Sequence, residues 1–106
     1  MKPYDILREC TGFEWDDDNS FKNWHKHKVS PHECEEIFFN RPLALASDQE
    51  HSKKETRFHA LGITNAGRGL FVAFAVRKGK MRVISARDMT KKESRVYKEH
   101  GKREKA

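Results

Sequence analysis

The stretch "NWHKHKVSPHECEE", residues 23–36, holds His25, His27, His32 and Cys34 within fourteen positions. Two kinds of chemistry use such residues: metal ligation and proton transfer. Metal ligation fits poorly. On a helix, side chains two positions apart diverge by about 200°, so His25 and His27 cannot share an ion, and His32 with Cys34 has the same defect. A mixed site across the turn, such as His27 with Cys34, would need further ligands that the sequence does not name; no metal and no other cofactor is expected. Cys34 falls on an apolar stripe, where cysteine acts as a small hydrophobe. Proton transfer fits better. Asn23 and His27 share a helix face at i, i+4, with Lys26 beside them, and histidine is the usual acid or base at neutral pH. The plainer reading is a solvated helix end whose basic residues suit the helix dipole.

Two arginines are placed for anion binding. Arg57 lies early in an alternating segment, and Arg87 ends the last one. A rigid sheet would hold both as a phosphate clamp. The alternative is that they are tied up in ion pairs with Glu55 and Glu93. Arg68 and Arg82 read as turn and edge charges. "GITNAGRG" follows an alternating segment, but it reads as a hairpin rather than a phosphate-binding loop opening a helix.

These residues need elements to position them. Residues 4–10 are either a short helix or an arm, and "TGFEW" is a short edge strand ending at Trp15. Asp16 to Asp18 supply an N-cap and first-turn acids. The spacing of Phe21, Trp24, His25 and Lys28 then predicts a helix over 17–27 with Phe21 and Trp24 inward. Ser30, Pro31 and Glu33 form a second start signal with a capping box, and Cys34, Ile37 and Phe38 are its buried stripe. Strands follow. "PLALA" is short, and residues 47–55 are a polar loop. "TRFHALGIT" puts Phe58 and Ala60 opposite Arg57, His59 and Leu61. "LFVAFAV" is apolar throughout, as in a central strand covered on both faces. "MRVISAR" is read with Met81, Val83, Ser85 and Arg87 on one side. Thr90 and Glu93 open a last helix with Met89, Glu93, Val96, Tyr97 and His100 on one stripe. Short turns between successive strands predict an antiparallel sheet of about four to five strands, with two helices before it and one after, an α+β class.

A chain of 106 residues is one domain. Its net charge of +6 points to a polyanionic partner, nucleic acid or an acidic protein. Cys10 and Cys34 form no disulfide framework, the first ten residues lack a signal-peptide core, and no stretch is long and apolar enough for a membrane span. A cytoplasmic location is expected.

Together these residues resemble a known family. "FEWD" at 13–16, then Asn23, Lys26, His27, Val29 and Ser30, are similar to the start of the BrnT toxins. So are Asp48, His51, Ser52, Glu55, Arg57, Phe58 and residues 60–62, and so is "VISAR" followed by Thr90, Glu93 and Tyr97. The resemblance runs from Phe13 to about Glu99. It departs at Lys28, where glycine is usual, and His25 and the first twelve residues lie outside it. The resemblance implies a RelE-like fold, the toxin half of a type II toxin–antitoxin pair, and RNA cleavage that arrests translation and growth. Within one domain, 1–12 would be an arm, 13–99 the toxin domain and 100–106 a frayed basic tail. The partner would be a BrnA-like antitoxin with a ribbon-helix-helix DNA-binding domain, two toxins assembling on an antitoxin dimer. DNA would be met only through the antitoxin, and no membrane is involved. The expected catalytic residues are Lys26, His27, Arg57, Arg87 and Tyr97, with Asn23, Ser85, Arg82 and His51 binding or orienting the RNA. The competing reading is a basic RNA- or protein-binding module of the same fold that does not cleave.

Overall fold

In the structure, a computed structural model, residues 3–50 and 55–105 are described. His51 therefore lies outside the described residues. The elements run α1 (Pro3–Glu9), β1 (Gly12–Glu14), α2 (Asp17–His27), α3 (Pro31–Phe39), β2 (Ala44–Ser47), β3 (Thr56–Ile63), β4 (Gly69–Arg77), β5 (Lys80–Asp88) and α4 (Lys91–Lys105). The strands form one sheet in the order β1-β5-β4-β3-β2. Neighbours pair antiparallel except β1, which runs parallel to β5 along the edge. The sheet is thus mixed, with one more helix than expected, because residues 3–9 are helical. Tyr4 on that helix donates its hydroxyl to the Leu43 carbonyl.

The caps form as the sequence implies. Asp16 accepts from the Asp18 and Asn19 amides, Ser30 and Glu33 complete a reciprocal capping box, and Thr90 and Glu93 make a second one. Lys28 ends α2 in the left-handed conformation, φ 55°, the backbone for which glycine is the usual choice.

The core lies on one face of the sheet. Phe58 and Ala60 of β3, Leu70, Val72 and Phe74 of β4, and Met81, Val83 and Ala86 of β5 are buried there with Ile37, Phe38 and Cys34 of α3. α3 approaches so closely that a Cβ on Gly62 would stand 2.9 Å from the Ile37 Cβ. Burial of apolar area of this kind is the main favourable term in folding.

Three expectations are corrected. First, the phase of α2 is different. Asn23 faces the core at 5% exposure, while Phe21 and Trp24 are 66% and 52% exposed. β1 pairs only with Lys80–Arg82, so the rest of the β5 edge has no strand beside it. The Asn23 Oδ1 takes a strand's place and accepts the Ala86 amide at 3.1 Å. A buried amide without a partner costs about 1–3 kcal/mol; the helix turns its asparagine, not its aromatics, toward that edge, and the Asn23 Nδ2 is itself buried without a hydrogen-bond partner among the described residues. Second, β5 does not keep one alternation. Ala73 pairs with Ser85 and Phe74 with Val83, so Ile84 is an extra residue, a bulge. The faces switch there: Met81, Val83 and Ala86 point into the core, while Ser85 and Arg87 point to the opposite face. Third, α4 continues to Lys105, so the basic tail is helical rather than frayed over 100–105. Gly101 lets the helix lie against Pro42, where a Cβ would come within 3.2 Å.

Candidate functional site

The bulge matters because it decides what the second, open face of the sheet carries. Register gives three rows across β3, β4 and β5: Arg57–Ala75–Arg82, His59–Ala73–Ser85 and Leu61–Phe71–Arg87. Strands are spaced about 4.8 Å apart, so the outer members of each row stand about 10 Å from one another across a small or flat residue. The middle of the face is a floor of Ala73 and Phe71, with Ala75 fully covered beside them, bordered by three arginines and a histidine. α4 rises along one side and closes a cleft of about 540 Å³ lined by Ala44, His59, Leu61, Phe71, Val96 and His100, among others. The strand expected to be covered on both faces is covered on this one only in part, by side chains lying flat. The Arg87 guanidinium sits 4.2 Å above the Phe71 ring and the His59 ring 4.9 Å from it.

Both arginine pairings anticipated as the alternative are present. Arg57 meets Glu55 at 3.4 Å, and Arg87 meets Glu93 through both terminal nitrogens, at 2.7 and 2.9 Å. Hydrogen bonds from Arg87 hold the Glu93 carboxyl below its ordinary range, and Glu93 in turn raises Arg87. Glu93 also accepts the Thr90 amide at the start of α4. The pairing therefore aims the guanidinium rather than exhausting it. Its bonds to Glu93 and to the Asp88 carbonyl use only the outer nitrogens, leaving the Nε–H and one Nη2 hydrogen, a second edge suited to phosphate. Arg82 reaches Asp16 at 2.9 Å and lowers that carboxyl.

Sequence reasoning missed one arrangement on this face. The His59 Nε2 stands 2.9 Å from the Asp48 carboxylate, and Asp48 is buried while His59 is 38% exposed. The two lie on different elements, so no local spacing announces the pair. A carboxylate behind an imidazole restricts its orientation.

The helix-borne residues stand around the β5 edge. His27 is half-buried at the end of α2, close enough for its charge to help lower Asp88, whose main partner is Arg68. Arg68, read from sequence as a turn charge, is the clasp of this corner. It donates to Asp88 at 2.7 and 3.3 Å, to Glu33 at 3.1 Å, and to the carbonyls of Lys28 and His27 at 2.8 and 3.1 Å. Lys26 is exposed. Asn23, placed among the orienting residues, holds β5 instead, as described above. Tyr97 is buried and donates to the Pro42 carbonyl at 2.7 Å, on the α4 side. The structure thus gathers Arg57, Arg82, Ser85 and Arg87 on one face, places His27 beside Asp88 at the Arg68 corner, leaves Lys26 exposed on α2, and keeps Tyr97 under α4.

Among the described residues no group of three or more His, Cys, Asp or Glu side chains is arranged to hold a metal ion. Burial pushes the Cys34 thiol up to about 12, with Glu33 and Glu35 adding to the rise, so it is not a thiolate nucleophile at neutral pH. No helix of the described residues is long and apolar enough to cross a membrane.

This architecture is that of a known small toxin. The ribonuclease toxin BrnT of Brucella abortus, known from its crystal structure, superposes with a TM-score of 0.56 at 20% identity, over 76% of this chain and 99% of that one. The α+β fold is therefore shared. Residues 15–93, most of the chain, match the family model described as "Ribonuclease toxin, BrnT, of type II toxin-antitoxin system"; the chain belongs to the BrnT family of ribonuclease toxins. Comparison with curated proteins gave no match. A type II toxin is one half of a pair, so a cognate antitoxin is implied as partner.

Proposed function

We propose that the open sheet face binds single-stranded RNA and cleaves it without a metal ion, using the RNA's own 2′-hydroxyl. The observation that carries this reading is the register that brings Arg57, Arg82 and Arg87 around Ala73 and Phe71, with His59 and Ser85 facing each other across Ala73. A base takes the 2′-hydroxyl proton, and the oxygen attacks the adjacent phosphorus. The bond to the 5′ oxygen breaks, and an acid protonates that oxygen as it leaves. The products are a 2′,3′-cyclic phosphate and a 5′-hydroxyl. Arg57 and Arg87 carry the extra negative charge of the pentacovalent phosphorus; each preorganised donor of this kind is worth about 10²–10³ in rate. The acid and base come from His59, held by Asp48, and from His27 with Lys26 at the end of α2. Each contributes about 10²–10⁴. Ser85, Arg82 and His51 bind the strand, and Tyr97 acts from beneath α4 by holding the helix that carries Glu93.

The cognate antitoxin, in this reading, is BrnA-like. It lays acidic or aromatic residues on the basic face and silences the nuclease, two toxins sit on one ribbon-helix-helix dimer, and DNA is touched only by the antitoxin. The toxin acts in the cytoplasm, where its RNA substrate is.

The test is cleavage of a single-stranded RNA by purified variants. Arg57→Ala and Arg87→Ala should each lose about 10²–10³ in rate while remaining folded by circular dichroism, and induction of either should no longer arrest growth. Full cleavage by both folded variants contradicts the proposed clamp.

A further inference from the structure

The turned phase of α2 leaves an unexplained surface. Phe21, Trp24, His25 and Lys28 form one outward stripe, opposite Asn23 on the helix, and all four are exposed. They are not arranged at random. The Phe21 and His25 rings stack at 5.4 Å with 8° between their planes, and the Lys28 ammonium lies 5.6 Å from the Trp24 ring centre. Lys22 and Lys26 flank the stripe, and no acidic residue occurs between Phe21 and Lys28. The stripe ends at the corner that holds His27.

We infer that this helix face is a base-stacking platform for the single-stranded RNA on either side of the cleaved bond. The claim rests on RNA being the substrate and extends it to a second binding surface. Exposed aromatic rings interleaved with ammonium groups are what single strands use: any base stacks on a ring, and the cations follow the phosphates. From Phe21 to Lys28 the helix rises about 10 Å, room for two or three stacked bases. An antitoxin surface is the less apt occupant. Cores of protein interfaces are depleted in lysine, whereas lysines are threaded through this patch, and their charge suits a polyanion.

The experiment uses the full chain and a short 2′-O-methyl oligoribonucleotide, which offers no hydroxyl for attack. An abasic strand of equal length serves as control. Trp15 is partly buried and donates to Glu35, so the exposed Trp24 is the fluorophore that reports stacking. Binding of the base-bearing strand should quench the emission. Trp24→Ala should bind that strand about tenfold more weakly, Trp24→Phe should recover most of the loss, and the abasic strand should bind wild type and Trp24→Ala alike. Phe21→Ala should give a similar, separate loss, which keeps the test alive if one variant fails to fold. Equal binding of the base-bearing strand by wild type and folded Trp24→Ala overturns the platform while leaving the cleavage reading intact. So does a loss shared by both strands, or a loss of antitoxin binding alone, which would make the face a protein interface. If the wild type neither binds the strand nor cleaves RNA, the platform and the RNA reading fall together.

Discussion

Replacing Arg68 by alanine should be among the most damaging single changes outside the core. The guanidinium joins the end of α2, the capping box of α3 and the end of β5 through Asp88, Glu33 and the carbonyls of Lys28 and His27. Truncation leaves two carboxylates without their cation and two helix-end carbonyls without their donor. A hydrogen bond to a charged group contributes about 1.5–3 kcal/mol. The terms do not add, and the Asp88 side chain is 63% exposed, so water replaces much of its share. A net loss of about 2–3 kcal/mol remains. In a domain of this size 1 kcal/mol moves the melting temperature by about 4–8 °C, so Arg68→Ala should melt roughly 10–20 °C below wild type. Arg68→Lys keeps the charge but not the planar fork, and should recover less than half of the loss. Both follow from thermal melts monitored by circular dichroism. Melting of Arg68→Ala within about 3 °C of wild type would refute the idea that this corner is held by one side chain.

Gly62→Ala should destabilise by about 1–3 kcal/mol through overpacking, since the new methyl would meet Ile37 at 2.9 Å; urea unfolding at neutral pH reads it directly. Acid should weaken the fold. Asp16, Asp88, Glu33 and Glu93 are all held below their ordinary values of 3.8 and 4.5. Carboxyls lowered on folding contribute stability that is present above their unfolded values and disappears as pH falls through the folded ones. Melting temperature should therefore be flat above about pH 5 and drop below about pH 4.5, and Arg68→Ala should drop less steeply than wild type.

The helix starts were legible because capping is local: Asp16, Ser30 with Glu33, and Thr90 with Glu93 each act within four residues. Strand existence was legible too, and the Phe58/Ala60 against Arg57/His59 alternation survives intact. What failed was set by partners far along the chain. The phase of α2 follows from an unpaired amide on Ala86, which no inspection of residues 17–27 can show. The bulge at Ile84 interrupts a stretch that reads as unbroken alternation, and only the register against β4 reveals that Ser85 and Arg87 join Arg57 rather than Met81. Of the site, the arginines and their acidic partners were visible as residue types at strand ends. The His59–Asp48 pair was not, because the polar loop between its members gives no periodic signal, and Arg68 was hidden by its place in a glycine-rich turn.

The chemistry of the break distinguishes side-chain catalysis from metal catalysis most directly. Purified toxin, freed of any antitoxin, should be given end-labelled single-stranded RNA in excess EDTA, beside a matched strand with one 2′-deoxy substitution at the preferred cleavage position. Continued cleavage under chelation, with 2′,3′-cyclic phosphate and 5′-hydroxyl ends, and no break at the deoxy position, is the predicted result. Activity that vanishes with EDTA and returns with magnesium or zinc, or a break at the deoxy position, would contradict a mechanism run by side chains and the 2′-hydroxyl alone.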